Sequence, residues 1–280
     1  MRTVIKKIQP PARLITTYSL TRDLQALGLQ PGMTLIVHSS MKSLDGWVCG
    51  GPVAVIQALQ RVLTADGTLV MPAQTSELSD PAGWSRPPVP ATWWETIRST
   101  MPPYDPDLTP TREMGAIAEC FRKAPGVLRS AHPQVSFAAW GKHAAALTAD
   151  HALPNGLGET SPLGTMYRLD AWVLLLGVSH ENNTSLHLAE YRAHYPGKTT
   201  ITAGAPILVD GQRQWVTFSD IDTDSDDFSA VGTAFEAVAR ATEAVRTGAV
   251  AGAECRLMRQ RALVDFAVDW MERNRTAANP

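Results

Sequence analysis

The order of elements in the first eighty residues limits the fold more than any other feature of the chain. "TRDLQALGLQPG" reads as a helix. Its apolar residues recur every three to four positions, Thr21 is placed to cap it, and Gly28 with Pro31 and Gly32 stops it. "MTLIVHSS" follows as a short β-branched apolar run, the pattern of a strand buried on both faces. "GGPVAVIQALQRVLTADG" is a second helix, with Pro52 in its first turn and Gly67 at its end, and "TLVMPA" is a second buried strand. Helix, strand, glycine loop, helix, strand predicts an α/β fold, a mixed sheet core with flanking helices.

Later segments extend the pattern. "REMGAIAECFRKAP" has helical spacing, and "DAWVLLLGV" is the strongest buried strand in the chain. It runs into a helix at "TSLHLAEYRAHY". "APILVDG" and "QRQWVTFSDID" meet at Asp210-Gly211, a hairpin signal. Residues 231–247 and 254–274 read as terminal helices. The stretch 78–110 departs from this regularity: it is dense in proline and carries Trp84, Trp93 and Trp94. It predicts a long loop with aromatic anchors and a short helix around Trp93–Thr100, forming a lid or wall over the active site. No linker-like shift in composition appears, so residues 1–280 are read as a single domain, a small N-terminal subdomain being the alternative.

The formal net charge of -2 gives no general attraction to nucleic acid or to an anionic membrane. Three widely separated cysteines, Cys49, Cys120 and Cys255, make no disulfide framework and fit a reducing compartment. The first twenty residues hold no apolar run long enough for a signal peptide or a membrane span, so a cytoplasmic protein is expected.

Three segments carry candidate chemistry. The first is "GVSHENNTSLHLAEY", Gly177 to Tyr191. His180 and Glu181 begin like the H-E-x-x-H zinc motif, but Thr184 stands where the second histidine belongs. His187, Glu190 and His194 are spaced to share one helix face, although that spacing is not a recognised metal triad, and no metal is expected. The segment instead follows a buried strand, where ligands gather in open α/β sheets. Thr184 or Ser185 would cap the next helix, leaving His187 in its first turn. There the positive helix end favours a neutral, proton-accepting imidazole. Position alone leaves both a catalytic and an ordinary histidine open.

The second is "FSDIDTDSDDF". Asp220 and Asp222, two apart near the end of a strand, share a face and can orient a histidine or bind a cation. Asp224, Asp226 and Asp227 read as a solvated turn. The third is "VHSSMKSLDGWVCGGP", serines at a strand end before a glycine-rich loop and a helix. It has the outline of an anion cradle, but the chain has no P-loop, no G-x-G-x-x-G and no G-x-S-x-G.

Taken in order, "LIVHSSMKSLDGWVCGGPVAVIQAL", "GTLVMPA", "PPYDPDLTPTREMGAIAECFR", "GVLRSAHPQVSFAAWG", "GETSPLGTMYRLD", "WVLLLGVSHENNTSLHLAEYRA" and "WVTFSDIDTD" resemble the aminoglycoside 3-N-acetyltransferases. The resemblance implies the antibiotic N-acetyltransferase fold, distinct from that of the common acetyltransferase superfamily. It also implies acetyl-coenzyme A as acetyl donor and the 3-amino group of a 2-deoxystreptamine aminoglycoside as acceptor, or else another small amine. A metal-dependent hydrolase built on His180, His187, His194 and the aspartates is the further alternative. His187 looks like the general base, with Asp220 and Asp222 as partners and no choice between them. Ser39, Ser40, Lys42, Gly51, Thr111, Met114, Gly115 and Ser136 look like coenzyme A contacts. Glu77, Asp80, Glu95, Asp170, Asn183 and Glu190 are candidates for holding a cationic acceptor, and the Ser179–Asn183 segment is expected to face it. A homodimer is compatible with this reading.

Overall fold

The two apolar runs that open the chain become neighbouring parallel strands. In the computed structural model, which describes residues 13–276, the strands in chain order are β1 (Leu14–Ile15), β2 (Thr34–Ser39), β3 (Trp47–Val48), β4 (Thr68–Pro72), β5 (Leu128–Arg129), β6 (Phe137–Gly141), β7 (Trp172–Leu176), β8 (Thr200–Val209), β9 (Gln212–Ile221), β10 (Val245–Val250) and β11 (Ala253–Arg259). The helices are α1 (Thr17–Leu27), α2 (Gly51–Leu63), α3 (Trp94–Thr100), α4 (Gly115–Phe121), α5 (Ala144–Thr148), α6 (Pro162–Arg168), α7 (Ser185–Arg192), α8 (Phe228–Ala239) and α9 (Gln260–Asn274). The first twelve residues, part of the stretch read for a leader, lie outside the described residues.

A seven-stranded mixed sheet runs in the order β10-β11-β7-β2-β4-β6-β5. Its centre, β7, β2 and β4, is parallel, and the flanking strands are antiparallel. Successive side chains on these strands enter different cores, because strand side chains alternate between faces. Leu35, Val37, Leu69, Met71, Leu174 and Leu176 pack against α1, α2 and α4. Ile36, Val70, Val173 and Leu175 pack against α6 to α9. A fully buried leucine such as Leu174 contributes about 2–5 kcal/mol, read as the cost of its replacement by alanine.

Local chemistry explains most boundaries and corrects several. α1 starts at Thr16, not Thr21: the Thr16 hydroxyl accepts from Ser19 N, and Ser19 reciprocates in a capping box. The Thr21 hydroxyl instead donates to the Thr17 carbonyl inside the helix. Gly28 ends the helix in the left-handed conformation, as read. The turn Asp210-Gly211 has φ of 50° and 75°, the two positive values of a type I′ hairpin joining β8 to β9. The two expected terminal helices are shorter than read. Residues 245–250 and 253–259 instead form β10, at one edge of the sheet, and β11, between β10 and β7.

The 78–110 stretch holds α3, near the expected position, and docks on the hairpin. Tyr104 N donates to the Pro206 carbonyl, and Arg213 of β9 donates to the carbonyls of Arg98 and Met101. Among the described residues, no helix is long and apolar enough to cross a membrane.

Candidate active site

The parallel centre of the sheet fixes where a site forms. β2, β4 and β7 all end on one side, and a cavity of about 530 Å³ opens there. Its walls include His38, Ser39 and Ser40 from the end of β2, Pro72 and Gln74 from the end of β4, and Val178 just beyond β7. Lys42 comes from the turn after β2, Met114 and Gly115 from the start of α4, and His187 from α7.

His187 meets this cavity with a carboxylate at its back. Its Nδ1 lies 2.5 Å from Glu190 Oε2, one helical turn on. Glu190 is fully buried, and its Oε1 accepts from Asp224 N at 2.9 Å and from Arg275 Nη1 at 2.7 Å. Arg275 is anchored in turn on Asp227. Burial alone would lower the Arg275 guanidinium, but its bonds to Asp227 and Glu190 outweigh that and hold it raised. Phe228 meets the His187 ring edge to face, with centroids 4.8 Å apart. A carboxylate only accepts hydrogen bonds, so His187 Nδ1 carries the proton and Nε2 is left as the basic nitrogen.

The carboxylate on His187 is therefore Glu190, not Asp220 or Asp222. Asp220 binds the Tyr191 hydroxyl at 2.5 Å, Gly156 N at 3.2 Å and its neighbour Ile221 N. Burial first, and Asp220 second, push the Tyr191 hydroxyl up. Asp222 is exposed, and its backbone N–H pairs with the Thr199 carbonyl.

The other expected residues divide. Ser39, Ser40, Lys42, Met114 and Gly115 line the cavity; Gly51 and Thr111 are not among its lining residues. The Thr111 hydroxyl is spent on Glu119 at 2.9 Å. Ser136 is fully buried between Arg129 and the Ala73 carbonyl, closed to a ligand. Asn183 is fully buried as well, and its Oδ1 accepts from Ser185 N, so this amide, rather than Thr184 or Ser185, caps α7. Asp170 pairs with Arg259 before the start of β7, at the opposite end of that strand from the cavity. Asp80 is held by a two-point ion pair to Arg98. Glu77 pairs with Arg112 and lines a neighbouring cavity of about 480 Å³ bordered by Trp84 and Arg86. Glu95 lies in the first turn of α3 and is absent from both linings.

Sequence reasoning missed one acid in the main cavity, Glu113; a second, Glu181, belongs to the Ser179–Asn183 segment expected to face the acceptor. Glu113 also lines the neighbouring cavity, so the two spaces adjoin there. Within Ser179–Asn183, only Glu181 and Asn182 face the main cavity; His180 turns away to Glu236 Oε1 at 2.9 Å.

The histidines of the metal reading do not gather. His180 is bound to Glu236, His187 to Glu190, and His194 is exposed. Among the described residues, no cluster of three or more His, Cys, Asp or Glu side chains is arranged to hold a metal ion.

Comparison with known proteins agrees with this architecture. The family model for aminoglycoside 3-N-acetyltransferase matches residues 36–272. An SPbeta prophage-derived aminoglycoside N(3')-acetyltransferase-like protein, YokD of Bacillus subtilis strain 168, is 50% identical over 260 residues, 92% of this chain and 93% of that protein. The crystal structure of YokD superposes with a TM-score of 0.90 at 48% identity, covering 94% of this chain and 95% of that one. Aminoglycoside N(3)-acetyltransferase VII of Streptomyces paromomycinus is 42% identical over 268 residues, 92% of each chain. A structure of AAC-IIIb in a binary complex with CoASH aligns at a TM-score of 0.82 and 32% identity, over 96% of this chain and all of that one. On these grounds the chain belongs to the aminoglycoside 3-N-acetyltransferase family and is an acyltransferase.

Proposed function

We propose that this protein transfers the acetyl group of acetyl-coenzyme A to the 3-amino group of a 2-deoxystreptamine aminoglycoside, with His187 as general base and Glu190 as the carboxylate that orients it. The observation that carries the reading is the His187–Glu190 pair opening into the cavity at the ends of the parallel strands.

The chemistry needs such a pair. A protonated amine has no lone pair to attack a thioester. A base that removes a proton during attack accelerates the step by about 10²–10⁴-fold. Glu190 fixes the tautomer that leaves Nε2 basic, and its carboxylate stabilises the imidazolium that forms. Arg275 and Asp224 N hold Glu190 from behind, so it cannot turn away.

Glu113 and Glu181 give the cavity the negative charge a polyamine acceptor calls for. The turn around Ser225, which also lines the cavity, adds the exposed Asp224 and Asp226 beside it. On the donor side, Ser39, Ser40 and Lys42 offer two hydroxyls and an ammonium to the coenzyme A chain and its phosphates.

The test is turnover of purified protein with acetyl-coenzyme A and a panel of 2-deoxystreptamine antibiotics, followed as thiol release. NMR of the product then locates the acetyl group. Acetylation at N3 supports the proposal. Silence on the whole panel removes the aminoglycoside acceptor, and acetylation at another nitrogen removes the regiochemistry.

A further inference from the structure

His38 is the buried group in the cavity that the base mechanism leaves unused. It sits on the central strand β2, in register with Leu175 of β7. Alternation along β2 turns its side chain to the face of Ile36, which packs under α7, the helix that carries His187. The residue is 7% exposed and lines the cavity. Its Nε2 is buried and has no hydrogen-bond partner among the described residues. Such a group costs about 1–3 kcal/mol of stability, a cost that an acceptor atom on a bound ligand would offset. Burial first, and the nearby His187 second, lower the ring's pKa to about 3, which keeps it neutral.

Backbone donors near this strand end are less available to the acyl oxygen of the donor. Ser40 N already donates to the Leu176 carbonyl at 3.1 Å, and the start of α2 at Pro52 is not part of the cavity wall.

We propose that His38 is a second catalytic residue, a neutral imidazole whose ring N–H donates a hydrogen bond to the thioester carbonyl oxygen of the donor. The inference rests on the acetyl-transfer reading above. As the amine lone pair forms the C–N bond, the carbonyl π pair moves onto oxygen, where His38 meets the growing negative charge. When that pair returns, the C–S bond breaks and sulfur leaves with its electrons. The amine proton goes to His187 Nε2 and is passed to sulfur, giving the thiol. His38 donates throughout and transfers no proton.

Three measurements test the assignment. His38→Leu is expected to lower kcat by about 10²–10³-fold, the cost of losing one donor to a developing oxyanion, with little change in KM for acetyl-coenzyme A. The same variant is expected to keep or raise Tm, because it removes an unsatisfied buried group. His38→Gln, which restores an N–H donor, is expected to recover part of the rate. A structural histidine predicts the reverse: Tm falls in His38→Leu while kcat stays near wild type. That outcome, or a kcat loss that His38→Gln leaves untouched, overturns the proposal. The third measurement needs no acceptor: ¹⁵N NMR of the His38 ring before and after saturation with acetyl-coenzyme A. A ring N–H that moves downfield on binding supports the assignment, and an unmoved ring overturns it. Failure of wild-type protein on every antibiotic defeats the acceptor reading alone, and the ring measurement still decides this one.

Discussion

Glu190 Oε2 lies 2.5 Å from His187 Nδ1, and its other oxygen is shared by Arg275 and Asp224 N. The carboxylate thus couples the base in the cavity to the C-terminal end of the described chain. Glu190→Gln keeps the shape but loses the charge, and it can present an N–H to Nδ1, which favours the wrong tautomer. The expected result is a kcat lower by about 10²–10⁴-fold, close to that of His187→Ala. Arg275 keeps Asp227 as a partner, so the stability loss is expected at about 1–3 kcal/mol. Steady-state rates and urea unfolding check the two parts. A Glu190→Gln enzyme with wild-type kcat would remove Glu190 from the mechanism.

The two cavity acids predict a different pattern. Glu113→Gln and Glu181→Gln are expected to raise KM for the acceptor and leave KM for acetyl-coenzyme A within about twofold, since they act on a cation rather than on the thioester. The effect on the acceptor is expected to shrink with added salt, because both side chains are solvent-facing. Initial rates with each substrate varied in turn, at low and high ionic strength, separate these cases.

Much of this geometry was legible in the residues. β2, β4 and β7 announce themselves as unbroken apolar runs because helices cover both sheet faces. Asp210-Gly211 fixes the β8–β9 hairpin because few other pairs accept two positive φ angles. β10 and β11 were hidden: "VRTGAV" and "AECRLMR" lie toward an open edge, where arginines and glutamate stay solvated and dilute the strand pattern. The partner of His187 was hidden for another reason. The dense acids at 220–227 drew the assignment, yet Glu190 stands one helical turn away, a neighbour that the helical repeat already offered. What the sequence withholds is burial, since a glutamate beside Tyr191 and Arg192 looks like surface but is fully enclosed. Glu113 reaches the cavity from a backbone with φ of 60°, a loop conformation that no periodicity encodes.

Acid sensitivity follows from four buried histidines. Burial holds His38 at about 3, His132 at about 4 and His151 at about 3, against an ordinary 6.5. Burial also lowers His180, against the pull of Glu236. Their folded pKa values are lowered, so below pH 6.5 the unfolded chain binds protons that the folded chain refuses. Stability is complete above 6.5 and is lost as pH falls toward 4. Between pH 6.5 and 5 each of His38, His132 and His151 is expected to remove about 2 kcal/mol, at about 1.36 kcal/mol per pH unit. Urea unfolding at pH 7, 6 and 5 reads the slope. His151→Gln is expected to flatten it by about a quarter to a third, and an unchanged slope would refute the account.

Gly232 tests how the cavity wall is held. Within a helix such as α8, alanine ordinarily stabilises relative to glycine by up to about 1 kcal/mol. Here a Cβ would lie 2.0 Å from His180 Cγ, so the ring or the helix must move. His180 is locked to Glu236, and Glu236 to Arg256, so the ring has little room to yield. Overpacking of this kind costs about 1–3 kcal/mol and outweighs the helix gain. His180 begins the short turn that carries Glu181 and Asn182 into the cavity. Gly232→Ala is therefore expected to lower stability and to raise KM for the acceptor, with kcat affected less. Combining it with His180→Ala relieves the clash, so the double variant should lose less stability than the sum of the two single changes. Additive losses in that cycle would show that Gly232 and His180 do not act on each other.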